Sequence, residues 1–188
     1  MIYTEFIARL NAPRKVELPK YWIHLGNAAL SPYYFGEISN CYGFTKPSGG
    51  LWASPLALHN NYVSDWHECS EMMGFTIPPE ACVFEFKKDA RVFIIDSQPD
   101  LMKLFQIVGD YTPVELDFEL TRMKTLDFEK ASKLYDVIYL TERGQLTTRL
   151  PIENPSYNLY GWDCESCVVL NFDVIAKQRP VKIRNRVK

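Results

Sequence analysis

The 188-residue chain has no apolar run near the roughly 20 residues that a membrane-spanning helix requires, so no membrane association of that kind is expected. Its start, Met1 to Leu10, puts Glu5 and Arg9 where a signal peptide needs an unbroken apolar stretch. No charge of one sign prevails. With 21 Lys and Arg against 23 Asp and Glu, the formal net charge is −2 and the pI about 5.9. That balance excludes a general attraction to nucleic acid or anionic lipid and leaves room only for a local patch. Cysteines are few and form no framework: Cys41, Cys69, Cys82, Cys164 and Cys167 are odd in number and irregularly spaced, which favours a reducing, cytoplasmic setting. Neither a Walker-type phosphate loop nor the glycine fingerprint of a dinucleotide-binding βαβ unit occurs. Repeats, low-complexity stretches and a clear interdomain linker are absent as well.

What is present suits a globular protein. The apolar fraction is 47% and aromatics reach 14%, with 11 Tyr, 11 Phe and 4 Trp. Flat rings in that number build a core or line a cleft, and the length fits one domain over residues 1–188. Cys164-Glu-Ser-Cys167 has C-x-x-C spacing, but a zinc site needs a second ligand pair, which His59 and His67 do not supply in a familiar form. Two cysteines leading into a strand is the simpler reading, and no metal is expected.

The hydrophobic pattern predicts an α+β fold. Val83–Lys87 and Arg91–Asp96 are β-rich runs separated by Lys88-Asp89-Ala90, which reads as a hairpin. Ser97 to Asp100 looks like a helix start, with Leu101, Leu104, Phe105 and Val108 on one face. A second helix is expected from about Asp127, with Phe128, Ala131, Leu134 and Tyr135 inward, and a further one around Val63, Trp66, Ser70 and Met73. Asp136–Leu140, Cys167–Phe172 and Val181–Ile183 read as strands. Strands and helices do not alternate regularly, so a doubly wound sheet is not expected.

Three stretches carry candidate chemistry. Tyr21-Trp-Ile-His24-Leu25-Gly26-Asn27 is strand-like, with a histidine closely followed by glycine; alone, it is most simply a buried His bonded to backbone. In Lys46-Pro-Ser-Gly49-Gly50-Leu51-Trp52-Ala53-Ser54-Pro55, paired glycines permit a turn and the close approach of another backbone or a ligand. The strand that follows carries a large ring between small residues, which leaves a face of the ring open for stacking. In Leu159-Tyr160-Gly161-Trp162-Asp163-Cys164-Glu165-Ser166-Cys167-Val168-Val169-Leu170-Asn171, Glu165 stands at the entry to an apolar strand, either as a solvated strand end or as a charge at the rim of a cleft.

Taken in order, these stretches resemble the ADP-ribosyltransferase superfamily, in the His-Tyr-Glu branch that includes diphtheria toxin and the poly(ADP-ribose) polymerases. The matching positions are His24, the Gly50-Leu51-Trp52-Ala53-Ser54 segment with the helix that follows it, and Glu165. Trp52 stands where that branch has Tyr, and Leu25 separates His24 from Gly26 where the branch has His-Gly.

The resemblance implies two small packed antiparallel or mixed sheets, with a few helices, around a cleft that binds NAD as co-substrate. It implies that His24 bonds a hydroxyl of the adenosine ribose and that Leu25 and Gly26 hold the nicotinamide carboxamide. Trp52 would stack on the nicotinamide, flanked by Ala53 and Ser54, with Tyr62 or Trp66 completing a sandwich. Glu165 would stabilise the positive charge that develops on the ribose as nicotinamide leaves. Asp163 either orients the acceptor or is a solvated loop carboxylate.

Six basic residues among the last twelve, Lys177, Arg179, Lys182, Arg184, Arg186 and Lys188, protect an edge strand or track phosphates, and Arg14, Lys15 and Lys20 add basic charge near the other terminus. The expected acceptor is a macromolecule, with a lean to RNA or DNA. By analogy with the family, the setting is the toxin of a toxin–antitoxin or phage-defence system, with an antitoxin protein as partner. A protein-modifying transferase, an NAD glycohydrolase and a non-catalytic binding module are the alternatives.

Overall fold

The computed structural model describes residues 2–41, 45–59, 61–111, 124–151 and 154–183. Its main body is a seven-stranded mixed sheet. The strands are β1 (Trp22–Leu25), β2 (Leu51–Pro55), β3 (Glu80–Phe86), β4 (Val92–Ile95), β7 (Val137–Leu140), β8 (Ser166–Val169) and β9 (Ile175–Lys182). Across the sheet they run β4-β7-β8-β2-β1-β3-β9. Only β4 and β7 pair in parallel; the other neighbours are antiparallel. Two-residue strands β5 (Asp110–Tyr111) and β6 (Thr125–Leu126) form a separate pair. Five helices complete the described fold: α1 (Ile2–Asn11), α2 (Asp65–Met72), α3 (Gln98–Val108), α4 (Phe128–Leu134) and α5 (Glu142–Thr148). None is long and apolar enough to cross a membrane.

The central strands β7 and β8 are buried at every position, Val-Ile-Tyr-Leu and Ser-Cys-Val-Val, as expected where both sheet faces are covered. Alternation sorts their side chains. Ile138 and Val168 join Ile95, Leu101, Leu104, Phe105, Phe128 and Trp162 in one core. Val137, Tyr139, Cys167 and Val169 join Trp22, Ala53, Phe84 and Val174 in the core on the other face. Trp22 and Trp162 are both fully buried and anchor one core each.

The helices follow local capping chemistry. The Ser64 and Asp127 side chains accept the backbone N–H of His67 and Lys130, opening α2 and α4. At α3, the Asp100 side chain reaches back over the helix start: its Oδ2 accepts the Ser97 hydroxyl at 2.6 Å and the Asp96 N–H at 3.1 Å. Leu101, Leu104, Phe105 and Val108 are all buried, as their spacing predicts.

Two expectations, the hairpin and an inward Leu134, need correction. Val83–Lys87 and Arg91–Asp96 do not form a hairpin: β3 and β4 lie near opposite edges of the sheet, because β4 pairs in parallel with β7 and β3 lies between β1 and β9. The Lys87–Ala90 turn redirects the chain instead of folding it back. Leu134 is 46% exposed, since α4 ends there and the chain turns extended at Tyr135. Met73, at the C-cap of α2, is 44% exposed. Arg14, part of the basic charge near the N-terminus, forms a two-pronged ion pair with buried Asp96, both contacts at 2.8 Å. In the basic tail, Lys177, Arg179 and Lys182 lie on the edge strand β9, and Lys177 pairs with Glu85 at 3.7 Å. Arg184, Arg186 and Lys188 lie outside the described residues.

Candidate functional site

Strands β8, β2 and β1 are neighbours, so residues separated by more than a hundred positions in sequence come to adjacent strands. β1 pairs with β2 at only two positions, Trp22 with Pro55 and Ile23 with Ser54. Beyond that, His24 substitutes its side chain for a ladder bond: Nδ1 lies 2.7 Å from the Trp52 carbonyl oxygen. A carbonyl only accepts, so Nδ1 carries the proton and Nε2 of the neutral ring is an acceptor. Asn27 Nδ2 lies 3.4 Å from Nε2, a long contact that leaves this acceptor weakly used. Burial lowers the His24 pKa, partly opposed by the bond to Trp52, and keeps the ring neutral.

Gly49 and Gly50 bring the chain into β2. Both have positive φ, and a Cβ on either would collide with backbone, the Glu37 carbonyl for Gly49 and the Val169 carbonyl for Gly50. Of the two roles open to this pair, close approach of another backbone is the one realised.

A cavity of about 300 Å3 opens beside these strands, at the small end of the range of about 300–1,000 Å3 for ligand sites. His24, Leu25, Trp52, Ala53, Ser54, Trp66 and Asp163 line it. Sequence reasoning missed Ile23, Lys46, Trp162, Cys164 and Ser166, which complete its wall. Trp162 packs edge-on against Trp52, with ring centroids 4.6 Å apart. Lys46 Nζ stands 5.2 Å above the Trp52 ring. Ser54 is 1% exposed between Ala53 and Pro55, and its buried Oγ has the Cys164 thiol as its polar neighbour. A second, smaller cavity of about 140 Å3 shares His24 and Trp52 with the first and is also lined by Asn27, Tyr34, Phe35 and Phe172.

Three expected residues sit apart from the main cavity. Tyr62 does not line it; its ring packs edge-on against His67 at 5.5 Å. Gly26 does not line it either, and its N–H already donates to Glu80 O at 3.0 Å. Glu165 lies between the wall residues Cys164 and Ser166 but is not itself in the wall. Its carboxylate accepts a short hydrogen bond from the Tyr139 hydroxyl. Burial raises the Glu165 pKa; the Tyr139 bond opposes this, while the charges of Asp65 and Glu142 reinforce it. Tyr139, in turn, is raised by burial and by that same carboxylate.

Asp163 is engaged by two cations, Arg149 at 3.2 Å and Lys46 at 3.6 Å, so it is not simply solvated. All five cysteines are free thiols; Cys167 is fully buried in β8, and burial pushes the Cys164 thiol up to about 12. Cys167 lies in β8, and Cys164 stands two residues before that strand begins. A different trio does converge: His59, Asp65 and Glu68 each offer a ligand atom within 4.8 Å of the others, at the start of α2. Burial raises the Asp65 pKa, as do the neighbouring Glu142 and Glu68 charges, while His59 lowers it.

Comparison with models of known protein families, with curated proteins and with solved structures gave no match.

Proposed function

We propose that the protein is an NAD-dependent ADP-ribosyltransferase, with the nicotinamide ring in the cavity beside Trp52. The observation that carries this reading is the composition of that wall. Two tryptophans from β2 and α2 and the neutral His24 line one cavity of about 300 Å3. A planar cationic ring fits that chemistry: the indoles offer flat faces for stacking, and His24 Nε2 offers an acceptor beside them. His24 Nε2 accepts a ribose hydroxyl at the boundary of the two cavities, in the tautomer fixed by Trp52. The parting of β1 from β2 beyond two residue pairs supports a cleft between two halves of the sheet.

In the reaction, the bond between the ribose C1′ and the nicotinamide nitrogen breaks and its electron pair leaves with nicotinamide. Positive charge develops on the ribose, and the Glu165 carboxylate at the start of β8 stabilises it through the 2′-hydroxyl. The acceptor atom then bonds C1′ and loses its proton. Gly26 holds the carboxamide only by giving up its bond to Glu80. The proposed acceptor is a macromolecule, with RNA or DNA favoured through Arg179 and Lys182 on β9, and the proposed setting is a cytoplasmic toxin held by an antitoxin.

One observation favours a second reading, a binding module without transfer: Glu165 is tied to Tyr139 and stands outside the cavity wall. Incubation with NAD labelled in its adenylate phosphate, followed by separation of protein, RNA, DNA and free ADP-ribose, distinguishes these. Label on a macromolecule supports transfer. Label in free ADP-ribose alone indicates a glycohydrolase. Bound but unconsumed NAD indicates the binding module.

A further inference from the structure

We infer that Lys46 is a displaceable occupant of the Trp52 face, exchanged for the cationic ring of the ligand and then engaged with the ligand's phosphates. This inference rests on the proposed NAD reading. Lys46 and Trp52 line the same cavity, and the ammonium lies over the indole at 5.2 Å, within reach of a cation–π contact. The ring face on which a pyridinium would stack thus already holds a cation. An oxidised nicotinamide is a cation and can replace Lys46 on that face in kind. A reduced, neutral dihydronicotinamide cannot.

The surroundings let the ammonium leave while its backbone stays. Thr45, next in sequence, is buried and tied at two points: its Oγ1 accepts the Gly161 N–H at 3.0 Å, and its carbonyl accepts Trp162 Nε1 at 2.7 Å. The side chain of Lys46 is 38% exposed and its only ion pair, among the described residues, is the 3.6 Å contact with Asp163. Asp163 keeps Arg149 at 3.2 Å when Lys46 departs, so no carboxylate is left uncompensated. Once displaced, a flexible ammonium at the mouth of the cavity meets the phosphates that a dinucleotide carries next to its ring. Lys46 is thereby a specificity-determining residue for an oxidised pyridine dinucleotide.

The test separates the two halves of the ligand. Binding of 1-methylnicotinamide, a pyridinium without phosphate, and of ADP-ribose, phosphates without the pyridinium, is measured by calorimetry on the wild-type protein and on Lys46→Met. Removing the resident cation should tighten 1-methylnicotinamide roughly two- to fivefold, the size of a modest cation–π contact. It should weaken ADP-ribose about tenfold, the size of a lost charge-assisted hydrogen bond. Lys46→Arg should restore ADP-ribose binding, and Lys46→Gln replaces Lys46→Met if the latter does not fold. Two affinities that stay unchanged, or that move in the same direction, overturn the inference while leaving the NAD reading standing. Failure of a probe to bind both the wild-type protein and Lys46→Met overturns both.

Discussion

The imidazole of His24 and the carbonyl of Trp52 are joined at 2.7 Å, where the backbone ladder between their two strands has already ended. One side chain therefore closes the gap between β1 and β2 and at the same time fixes which ring nitrogen faces outward. His24→Ala leaves that carbonyl without its partner and should lower stability by about 1 kcal/mol, with a larger proportional loss of NAD affinity. Thermal melting and calorimetry with NAD measure the two effects. The burial-lowered pKa of His24 also sets a pH dependence: the unfolded chain protonates first. Its contribution to stability is thus present above about pH 6.5 and declines as pH falls below that value.

Trp52→Ala should weaken NAD binding and turnover together, while Trp52→Tyr should keep much of both. Stacking needs a flat ring, and no hydrogen bond from the Trp52 indole nitrogen occurs among the described contacts. Circular dichroism on both variants checks the alternative: loss of folding in each would make Trp52 a core residue that merely borders the cavity.

Away from the site, Asp136 gathers Arg91 at 2.8 Å through both its backbone N–H and its guanidinium, and Asn171 Nδ2 at 3.0 Å. Arg91, more than any other group, holds the Asp136 carboxyl far below the usual carboxylate range. The resulting stability is present above pH of about 4 and is lost as pH falls further, since the unfolded chain takes up the proton first. Asp136→Asn should lower the melting temperature at neutral pH and flatten its fall with acid, which melting curves from pH 7 down to the acid limit of solubility will show.

Much of this architecture is written in local pattern. The caps at Ser97 and Asp127 and the apolar faces of α3 and α4 are set within a few residues, and so could be read from the sequence. The partner of β4 could not, because parallel pairing with β7 depends on contacts formed across more than forty residues. The same distinction holds at the site. His24, Trp52 and Trp66 stood out as rings or polar groups in strand and helix contexts. Lys46 did not, since a lysine in a Pro-Ser-Gly-Gly loop carries no sign that an indole lies beneath it. Tyr139 gave no warning either, as a tyrosine in an apolar strand reads as core until its hydroxyl is seen to meet Glu165. Trp162, fully buried, reads as core in the same way.

The Tyr139 bond makes Glu165 testable through pH. The hydroxyl favours the ionised carboxylate, against burial that raises the pKa. If the carboxylate is the working form, turnover should fall on the acid side, with a midpoint above that of an ordinary glutamate. Tyr139→Phe removes the stabilising donor and should move that midpoint further up. A pH–rate profile that ignores Tyr139→Phe would show that Glu165 ionisation does not govern the reaction.

The most direct measurement is nicotinamide release from NAD by the wild-type protein and by Glu165→Gln, alongside their melting temperatures. The substitution keeps size and removes charge. Losing one well-placed electrostatic group lowers a rate by about 10²–10³-fold. Transfer chemistry predicts a fall of that order, with NAD still bound and the fold retained. Release that continues at the wild-type rate in Glu165→Gln, or that is absent from the wild-type protein, would contradict it.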